Sequence, residues 1–460
     1  MKSVALHNLG CKVNAYEIEV MQQKLEENGF KIVPFAPGAD IYIINTCTVT
    51  NIADRKSRQM LHKAKKMNPD AVVVATGCYV QTGEETLKMD DCIDLAVGNN
   101  RKKDIVPILE EFIETRKNDK ITPVLDINHT YEYEEMTLKK TAEHTRAYIK
   151  IQDGCNQFCS YCIIPYARGR VRSRKAEDIL EEIKGLVAAG FQEVVITGIH
   201  LSSYGMDFIV KQDAFKETTS DYLENAKDIR SAAYQKEFLL NILKDIHAIE
   251  GLKRIRLGSL EPRIITERFA QELSKMEKIC PHFHLSLQSG CDETLKRMNR
   301  HYSTEEYYEK VLILRKHFNN PAITTDIITG FPGETNEEFL ETVAFAQKVK
   351  FYEMHIFKYS KRKGTVAASM KDQIDESVKA ERSEVLLNMS TKHSREFREE
   401  LLGKETEILI EEQKIINGEN YWIGHTMNYV LVALKSSDNL SNKLITGVAD
   451  AFLRDDILHM

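Results

Sequence analysis

The sequence predicts an α/β protein with three consecutive parts: an N-terminal parallel βαβ domain, a central six-unit (β/α) partial barrel and a small C-terminal β-barrel. The first two parts are indicated by apolar strand-like runs that alternate with helical spacing. The third is indicated by five short strand-like runs with Gly and Asn turns after Gly403: Glu405–Ile410, Asn420–Ile423, Tyr429–Leu434, Leu444–Thr446 and Ala449–Leu453. We expect the N-terminal domain at 1–120, a linker at 121–140, the barrel at 141–375, and a helical connection with the small β-barrel at 376–460.

Composition and charge exclude several classes of protein. The chain has 460 residues, of which 42% are hydrophobic and 29% are charged, as in ordinary globular proteins. The net charge of -6 argues against a general nucleic-acid coat protein. No apolar run approaches the ~18–20 residues that span a bilayer, and the first residues lack a signal-peptide pattern. We therefore expect a cytoplasmic protein with no membrane partner.

The first five elements form a βαβαβ pattern. Three short runs are apolar and strand-like, and the two segments between them have helical spacing of apolar residues. In chain order the elements are Ser3–Leu9, Tyr16–Asn28, Asp40–Asn45, Ile52–Met67 and Ala71–Thr76. Strands connected in this way are expected to be parallel and buried.

A cysteine follows each of these three strands: Cys11, Cys47 and Cys78. Parallel strands of an open α/β sheet end at one edge, where ligands bind, so the three thiols are expected to meet there. A reducing cytosol argues against disulfides among the nine cysteines, which leaves metal binding or catalysis. We interpret the three residues as a shared metal or cluster site; the alternative is that they are ordinary buried cysteines.

A second group of cysteines is compact, in the motif Cys155-Asn-Gln-Phe-Cys159-Ser-Tyr-Cys162. Structural zinc usually has four closed ligands, whereas three soft thiolates fit a [4Fe–4S] cluster that leaves one iron open to a ligand. The aromatic Tyr161 is expected to lie against this cluster or a cofactor bound to it. The alternatives are a three-cysteine zinc site and a chance grouping.

The middle of the chain alternates between six strand-like runs and helical segments. The runs are Arg146–Ile151, Glu193–Ile196, Arg254–Leu257, Phe283–Leu287, Ile323–Ile328 and Phe351–Phe357. The helical segments are Ala176–Ala189, Lys236–Ile249, Thr266–Met276, Thr304–Phe318 and Asn336–Val349. Six units predict a partial barrel, while a full barrel of the common kind has eight. Gly and polar residues follow these strands, so the active site is expected at that end, beside the compact cysteine motif.

These motifs resemble a known family. CxxxCxxC after a first strand is similar to the cluster motif of the radical S-adenosylmethionine (SAM) enzymes. The longer text GCNQFCSYCIIPYARGRVRSR, from Gly154 to Arg174, together with the three N-terminal cysteines, resembles the methylthiotransferase branch. The text NLGCKVN at residues 8–14 is similar to the subgroup that modifies N6-threonylcarbamoyladenosine in tRNA.

The resemblance implies two [4Fe–4S] clusters and SAM as cofactors, with two SAM molecules per turnover. One cluster would be held by Cys11, Cys47 and Cys78, and the other by Cys155, Cys159 and Cys162. The residues implied to bind SAM are Tyr161, Thr197, Ser259, Gln288, Asp326 and Ile328. No side chain is expected to act as the catalytic group, because the cofactor generates the radical.

The activity that the resemblance implies is installation of a 2-methylthio group on N6-threonylcarbamoyladenosine at position 37 of tRNAs, next to the anticodon. A radical suits this reaction because an aromatic C–H has no acidic proton for acid–base catalysis to remove. Alternative substrates are isopentenyladenosine of tRNA and an aspartate of a ribosomal protein. A non-enzymatic alternative is a cluster- or zinc-stabilised RNA-binding module.

The expected partners are a tRNA anticodon loop, an external electron donor and a sulfur source. RNA phosphates are expected to contact Arg168, Arg170, Arg172 and Arg174, which follow the compact motif, although alternating arginines also occur on solvated strand faces. The helix predicted at Ile52–Met67 is a second basic segment. The resemblance also implies a C-terminal TRAM domain that helps to bind RNA. Residues 403–460, however, contain five Lys and Arg and nine acidic residues, which does not indicate a basic face.

Two features have no predicted function. Residues 207–235 form a polar, charge-mixed stretch that we interpret as a tolerated surface insertion on the active-site side. Cys92, Cys280 and Cys291 lie apart from both cysteine groups, and we interpret them as structural or incidental.

Overall fold

The N-terminal part of the chain is a five-stranded parallel sheet. The computed structural model describes residues 2–83, 87, 89–115, 124–139, 145–209 and 237–460. The strands are β1 (Ser3–Asn8), β2 (Lys31–Ile32), β3 (Ile41–Thr46), β4 (Val72–Gly77) and β5 (Leu95–Val97), in the order β2-β1-β3-β4-β5. All four strand pairs are parallel, and every residue of the central β3 is buried. The predicted parallel, buried sheet is therefore confirmed.

The register of this sheet brings three strand ends to one edge. Asn8 of β1 is opposite Asn45 of β3, and Thr46 of β3 is opposite Gly77 of β4. The chain leaves each strand at nearly the same level, so the residues that follow the three strands are neighbours in space. Helices then begin near the same edge: α1 (Lys12–Glu27), α2 (Asn51–Met67) and the short α3 (Cys78–Thr82). Another helix, α4 (Ile105–Thr115), follows β5.

Six parallel strands form the central part, and they confirm the predicted partial barrel. They are β6 (Arg146–Asp153), β8 (Glu193–Gly198), β9 (Arg254–Leu257), β10 (His282–His284), β11 (Ala322–Thr329) and β12 (Glu353–Lys358). Hydrogen-bonded ladders join β6 to β8, β8 to β9, β10 to β11 and β11 to β12. Single parallel bridges, Ile255 with Ile279 and Leu260 with Leu285, connect the two halves. A short strand that we did not predict, β7 (Arg172–Ser173), pairs antiparallel with the end of β6.

Helices lie between the barrel strands, and those that correspond to the five predicted segments are close to their predicted positions. The helices are α5 (Ile164–Arg168), α6 (Ala176–Ala188), α7 (Phe238–His247), α8 (Glu267–Ser274), α9 (Asp292–Arg297), α10 (Thr304–His317), α11 (Asn336–Val349) and, after the barrel, α12 (Glu376–Glu399). The short helices α5 and α9 were not predicted. Two starts are fixed by capping boxes, Ser303 with Glu306 and Thr335 with Glu338. One continuous apolar core joins these helices to the inner strands and to α1 of the N-terminal part.

The C-terminal part is a six-stranded, mostly antiparallel sheet. Its strands are β13 (Glu405–Ile416), β14 (Glu419–Thr426), β15 (Leu431–Leu434), β16 (Leu444–Val448), β17 (Ala451–Arg454) and β18 (Ile457–His459). Asn417 and Gly418, both at positive φ, form the two-residue turn between β13 and β14. Five of the six strands were predicted, and β18 was not. Trp422 and Tyr421 are buried and belong to the core of this part.

Some predictions fall outside the described residues. Most of the 207–235 insertion lies there, and the structure describes only Met206–Phe208, a short 3₁₀ helix, and Ile209. Of the 121–140 linker, residues 124–139 are described; Tyr133 donates from its hydroxyl to the Lys150 carbonyl at 2.8 Å, which fastens this segment to the barrel. The predicted domain boundaries remain predictions. No helix in the described part of the chain is long and apolar enough to cross a membrane.

Candidate cluster and cofactor sites

The three N-terminal thiols lie together at the edge where the strands end. Gly10 is so close to Cys47 that a Cβ at Gly10 would lie 3.2 Å from the Cys47 sulfur. Burial, reinforced by the neighbouring Cys78 and Cys11, raises the pKa of Cys47 to about 12. Burial is also the main cause that raises the pKa of Cys11, whose other charged neighbours include Arg168 and Cys78. The structure therefore brings together three thiols that are distant in sequence.

Side chains from both parts of the chain contact this group of thiols. The Arg168 Nε donates to the Cys78 sulfur at 3.2 Å, and the Asn99 amide nitrogen lies 3.6 Å from the same atom. The Cys11 thiol donates to the side-chain oxygen Oδ1 of Asn14 at 3.6 Å. Donors aimed at cysteine sulfur stabilise the negative charge of thiolate-bound clusters. The donor set, three thiols with a guanidinium and an amide directed at one sulfur, fits an anionic iron–sulfur cluster.

The compact cysteine motif forms a loop immediately after β6. Gly154 has φ +71°, and a Cβ there would overlap the Arg170 carbonyl oxygen, so the tight turn before Cys155 requires glycine. The loop is held by backbone hydrogen bonds from Cys155 N to Gly169 O at 3.0 Å and from Cys162 N to Cys159 O at 2.9 Å. A second segment supports it from outside, since Ser160 N donates to Met298 O at 3.0 Å.

The electrostatics of this loop resemble those of the first site. Arg300 donates from Nη1 to the Cys159 sulfur at 3.4 Å. Burial is the main cause that raises the pKa of Cys162, and the nearby Cys159 and Cys155 raise it further. The three sulfurs are therefore close enough to influence one another's ionisation. Three thiols and a guanidinium again fit a cluster held by three protein ligands with one open iron.

A cavity of about 340 Å³ lies beside this loop. Five of the six residues expected to bind SAM line it: Tyr161, Ser259, Gln288, Asp326 and Ile328. Thr197 is the exception, because it is buried next to Gly258 and does not belong to the described lining. Gln288 has φ +74°, uncommon for a residue with a side chain and frequent where a ligand is bound. The volume is within the range of small-molecule sites.

The lining of this cavity also includes residues that we did not predict to bind SAM. Val49 and Thr50 come from the loop after Cys47, so the N-terminal part of the chain contributes to this cavity as well as the barrel. Phe357 and Lys358 are the last two residues of β12, and Tyr359 and Ser360 follow them, at the strand end where the sequence predicts the active site. Thr50 and Asn51 are fixed to that strand end because Asn51 N donates to the Ser360 hydroxyl at 2.9 Å.

Asp326 contacts a pair of histidines inside the barrel. The His284 Nε2 lies 3.2 Å from an Asp326 carboxylate oxygen, and the His284 and His355 rings stack at 5.6 Å. One possible ligand atom from each of the three lies within 4.8 Å of the others. Sequence spacing did not reveal this group, because its members come from three different strands.

A buried network of charges joins the N-terminal part to the barrel next to the first group of thiols. At its centre is Glu17 of α1, which has no exposed surface. Its carboxylate accepts hydrogen bonds from Lys150 at 2.8 Å, from Arg168 Nη2 at 3.0 Å and from Lys102. Although burial alone would raise it, these three cations hold the pKa of Glu17 well below its ordinary value. Arg168 also donates to Asn14 at 2.6 Å, so one side chain connects Glu17, Asn14 and Cys78.

The burial of three arginines corrects the expected RNA contacts. Arg168, Arg172 and Arg174 are at most 1% exposed. Arg168 is paired with Glu17, Arg174 with Glu182, and Arg172 donates to backbone carbonyls, so the structure does not support phosphate contacts by these residues. The alternating pattern gave no sign of this, because the acidic partners lie outside it: Glu17 is 151 residues from Arg168, and Glu182 is on the following helix, 8 residues from Arg174. Arg170 is half-buried and lies over the Phe158 ring at 4.5 Å; its contact with RNA remains a prediction.

Comparisons with known proteins agree with this arrangement. The family model described as the Radical SAM superfamily matches residues 149–346, and the one described as Uncharacterized protein family UPF0004 matches residues 3–98. Among solved structures, the radical S-adenosylmethionine methyltransferase TsrM from Kitasatospora setae is similar with a TM-score of 0.52 and 16% identity, covering 78% of this chain and 73% of that chain. This likeness supports the fold.

Curated relatives are similar over nearly the whole chain. Threonylcarbamoyladenosine tRNA methylthiotransferase MtaB from Bacillus subtilis is 40% identical, covering 97% of this chain and 93% of the relative. The protein of the same name from Aquifex aeolicus is 39% identical, covering 91% and 95%. The tRNA-2-methylthio-N(6)-dimethylallyladenosine synthase from Carboxydothermus hydrogenoformans is 35% identical, covering 96% of each chain. This chain belongs to the radical SAM methylthiotransferase family.

Proposed function

We propose that this protein installs a 2-methylthio group on N6-threonylcarbamoyladenosine at position 37 of tRNAs. One observation carries the proposal: a single cavity is lined by Cys162 of the compact cysteine motif and by Val49 and Thr50, which follow Cys47 of the N-terminal group. Relatives with the name of this activity reach 40% identity over 97% of the chain. Isopentenyladenosine of tRNA and a ribosomal-protein aspartate are the competing substrates.

The proposed cofactors are two [4Fe–4S] clusters and SAM, held by the two groups of cysteines and by the cavity. When bound, they supply the radical chemistry, the sulfur and the methyl group; an external electron donor and a sulfur source complete the proposal. The residues of the chain bind and orient the cofactors and the substrate, and they exclude water from the site. Tyr161, Ser259, Gln288, Asp326 and Ile328 would hold SAM in the cavity, while Arg300 and Arg168 would direct their charges at the cysteine sulfurs.

An RNA surface is proposed beside this cavity. The helix α2 begins directly after the cavity residues Val49 and Thr50, and its exposed basic side chains are Arg55, Lys56, Lys63 and Lys66. Lysines and arginines on one exposed helix are suited to phosphate contact. An anticodon loop is single-stranded, so a base at its edge can be turned into a pocket at low cost.

Nucleoside analysis tests the proposed function. We expect expression of the chain in a strain that lacks the modification to produce 2-methylthio-N6-threonylcarbamoyladenosine in tRNA, detected by mass spectrometry of digested nucleosides. The Cys47→Ala variant is the matched control and should give none. A methylthio mark on isopentenyladenosine instead, or none on tRNA at all, would reject this substrate assignment.

A further inference from the structure

His62, Asp90 and Cys92 form a compact group of side chains on the N-terminal part that belongs to neither group of cluster cysteines. The His62 Nε2 lies 2.8 Å from a carboxylate oxygen of Asp90. One possible ligand atom from each of the three residues lies within 4.8 Å of the others. Solvent reaches the group, because 54% of the His62 side chain and 17% of the Asp90 side chain are exposed. An imidazole nitrogen, a carboxylate oxygen and a thiol sulfur therefore meet at one accessible point.

The fold brings these side chains together from two elements and holds them there. His62 is on α2, whereas Asp90 and Cys92 belong to the turn that precedes β5. Within this turn, Ile93 N donates to Asp90 O at 3.1 Å, and Cys92 N donates to an Asp90 carboxylate oxygen at 3.0 Å. Leu61 and Ile93, which adjoin the histidine and the cysteine in the chain, are buried in the same apolar cluster. Core packing therefore sets the distance between the two elements.

The carboxylate of Asp90 is available to a cation, since no lysine or arginine among the described residues forms an ion pair with it. Its ion-pair partner is His62, which is charged only when it is protonated. The nearby carboxylate of Asp94 differs, because Lys65 pairs with it at 2.9 Å and Val73 N donates to it at 2.8 Å. With a neutral imidazole, the carboxylate and an ionised thiolate together attract a divalent cation, which replaces the proton of the thiol.

The mixture of donor atoms indicates which cation fits. Zn²⁺ accepts cysteine sulfur, histidine nitrogen and carboxylate oxygen, whereas Ca²⁺ and Mg²⁺ prefer oxygen ligands. Iron–sulfur clusters are held mainly by several cysteine thiolates, which a group with a single cysteine does not supply. Three protein ligands leave the fourth position of a tetrahedral zinc ion to water.

We propose that His62, Asp90 and Cys92 bind a Zn²⁺ ion that links α2 to the turn before β5. This inference goes beyond the proposed function and does not depend on it, because none of the three is among the described residues that line the SAM cavity. The helix α2 carries the exposed basic side chains of the proposed RNA surface, so the ion restrains that helix. Sequence spacing did not reveal the site, because His62 is 28 residues from Asp90.

Alkylation of Cys92 in the reconstituted holoenzyme tests this inference at a single thiol. The loaded clusters occupy the other candidate ligand cysteines, and Cys92 is partly exposed. We expect added Zn²⁺ to slow the reaction of Cys92 with iodoacetamide, measured by mass spectrometry of its peptide, because the ion binds the sulfur lone pair that attacks the reagent. His62→Gln and Asp90→Asn each remove a ligand, so the Zn²⁺ concentration needed should rise by more than ~10–100-fold.

His129→Gln is the matched control for these variants. His129 is also an exposed histidine, and it pairs with Asp126 at 2.6 Å without a cysteine in the group. This variant should behave as the wild type, because the pair that it removes offers no thiolate to a metal ion.

Bound zinc and iron, measured by mass spectrometry after removal of excess metal, give a second readout. The wild type should hold about one more zinc ion per chain than Cys92→Ser, at equal iron content. Circular dichroism shows whether each variant is folded, and Cys92→Ala is the second variant if serine disturbs the turn. Equal zinc in the wild type and the Cys92 variants would overturn the inference. Protection of Cys92 that is unchanged in both His62→Gln and Asp90→Asn would also overturn it, because the thiol alone would then bind the ion.

Discussion

Replacing Cys159 with Ala is expected to abolish release of 5′-deoxyadenosine from SAM, whereas replacing Cys47 with Ala should leave that release largely in place. The reason is the placement of the two thiols. Cys159 belongs to the same loop as Tyr161 and Cys162, which line the cavity, while Cys47 is not among the residues that line it. Replacing a cysteine that binds a cluster should lower activity by more than ~10–100-fold, which is the loss typical when a residue that only contacts a metal ligand is replaced.

The measurement combines deoxyadenosine release with product formation. Chromatography of a reduced reaction mixture quantifies 5′-deoxyadenosine, and nucleoside mass spectrometry quantifies the methylthio product. Both variants should lack the product and lose about half of the bound iron relative to the wild type, since each is expected to lose one of two equal clusters. Cys92→Ala is the matched control, because Cys92 lies apart from both groups and should leave both readouts unchanged.

Either of two results would contradict this division of roles. Unchanged deoxyadenosine release by Cys159→Ala would remove that residue from the site where SAM reacts. Complete loss of release by Cys47→Ala, with the other cluster still present by iron content, would mean that the two groups of cysteines do not act separately.

The meeting of the three N-terminal cysteines was predictable because strand periodicity and parallel topology together determine it. Asn8, Thr46 and Gly77 end parallel strands at one edge, so residues that follow them meet whatever their separation in sequence. The short strands β2, β5 and β18 were missed because they are too short for the periodicity of apolar residues to reveal them. A run of two or three residues is too short to show the alternation of apolar and polar residues that marks a strand. Such a segment becomes a strand because it pairs with a neighbouring strand.

The buried ion pairs were not predictable from local sequence. Arg168 reads as one of a series of exposed arginines, yet its principal partner, Glu17, is 151 residues away. Glu17 itself lies between Tyr16 and Ile18, where a charged residue in a helix normally indicates a solvent-facing position. Only the packing of α1 against the barrel makes that position internal. Long-range charge complementarity of this kind leaves no spacing pattern in one chain.

Replacing Glu17 with Gln is expected to lower the free energy of unfolding by ~3–5 kcal/mol. The change removes a carboxylate that Lys102, Lys150 and Arg168 share, and it leaves these buried cations with less negative charge, although Lys150 and Arg168 keep their pairs with Asp153. Urea unfolding followed by circular dichroism measures the effect. Glu27→Gln is the matched control on the same helix; its exposed pair with Lys139 at 2.8 Å should contribute at most ~1 kcal/mol.

The pH dependence of this difference tests its electrostatic origin. The pKa of Glu17 is lowered in the folded protein, so its contribution is fully present above the ordinary Glu value of ~4.3 and is lost as the pH falls through the lowered value. The wild type and Glu17→Gln should therefore differ by a constant amount near neutral pH and converge only in acid. A difference that stays constant into strong acid would assign the effect to packing. In that case Glu17 would not be the charge that holds Arg168 against Cys78 and joins the two parts of the chain.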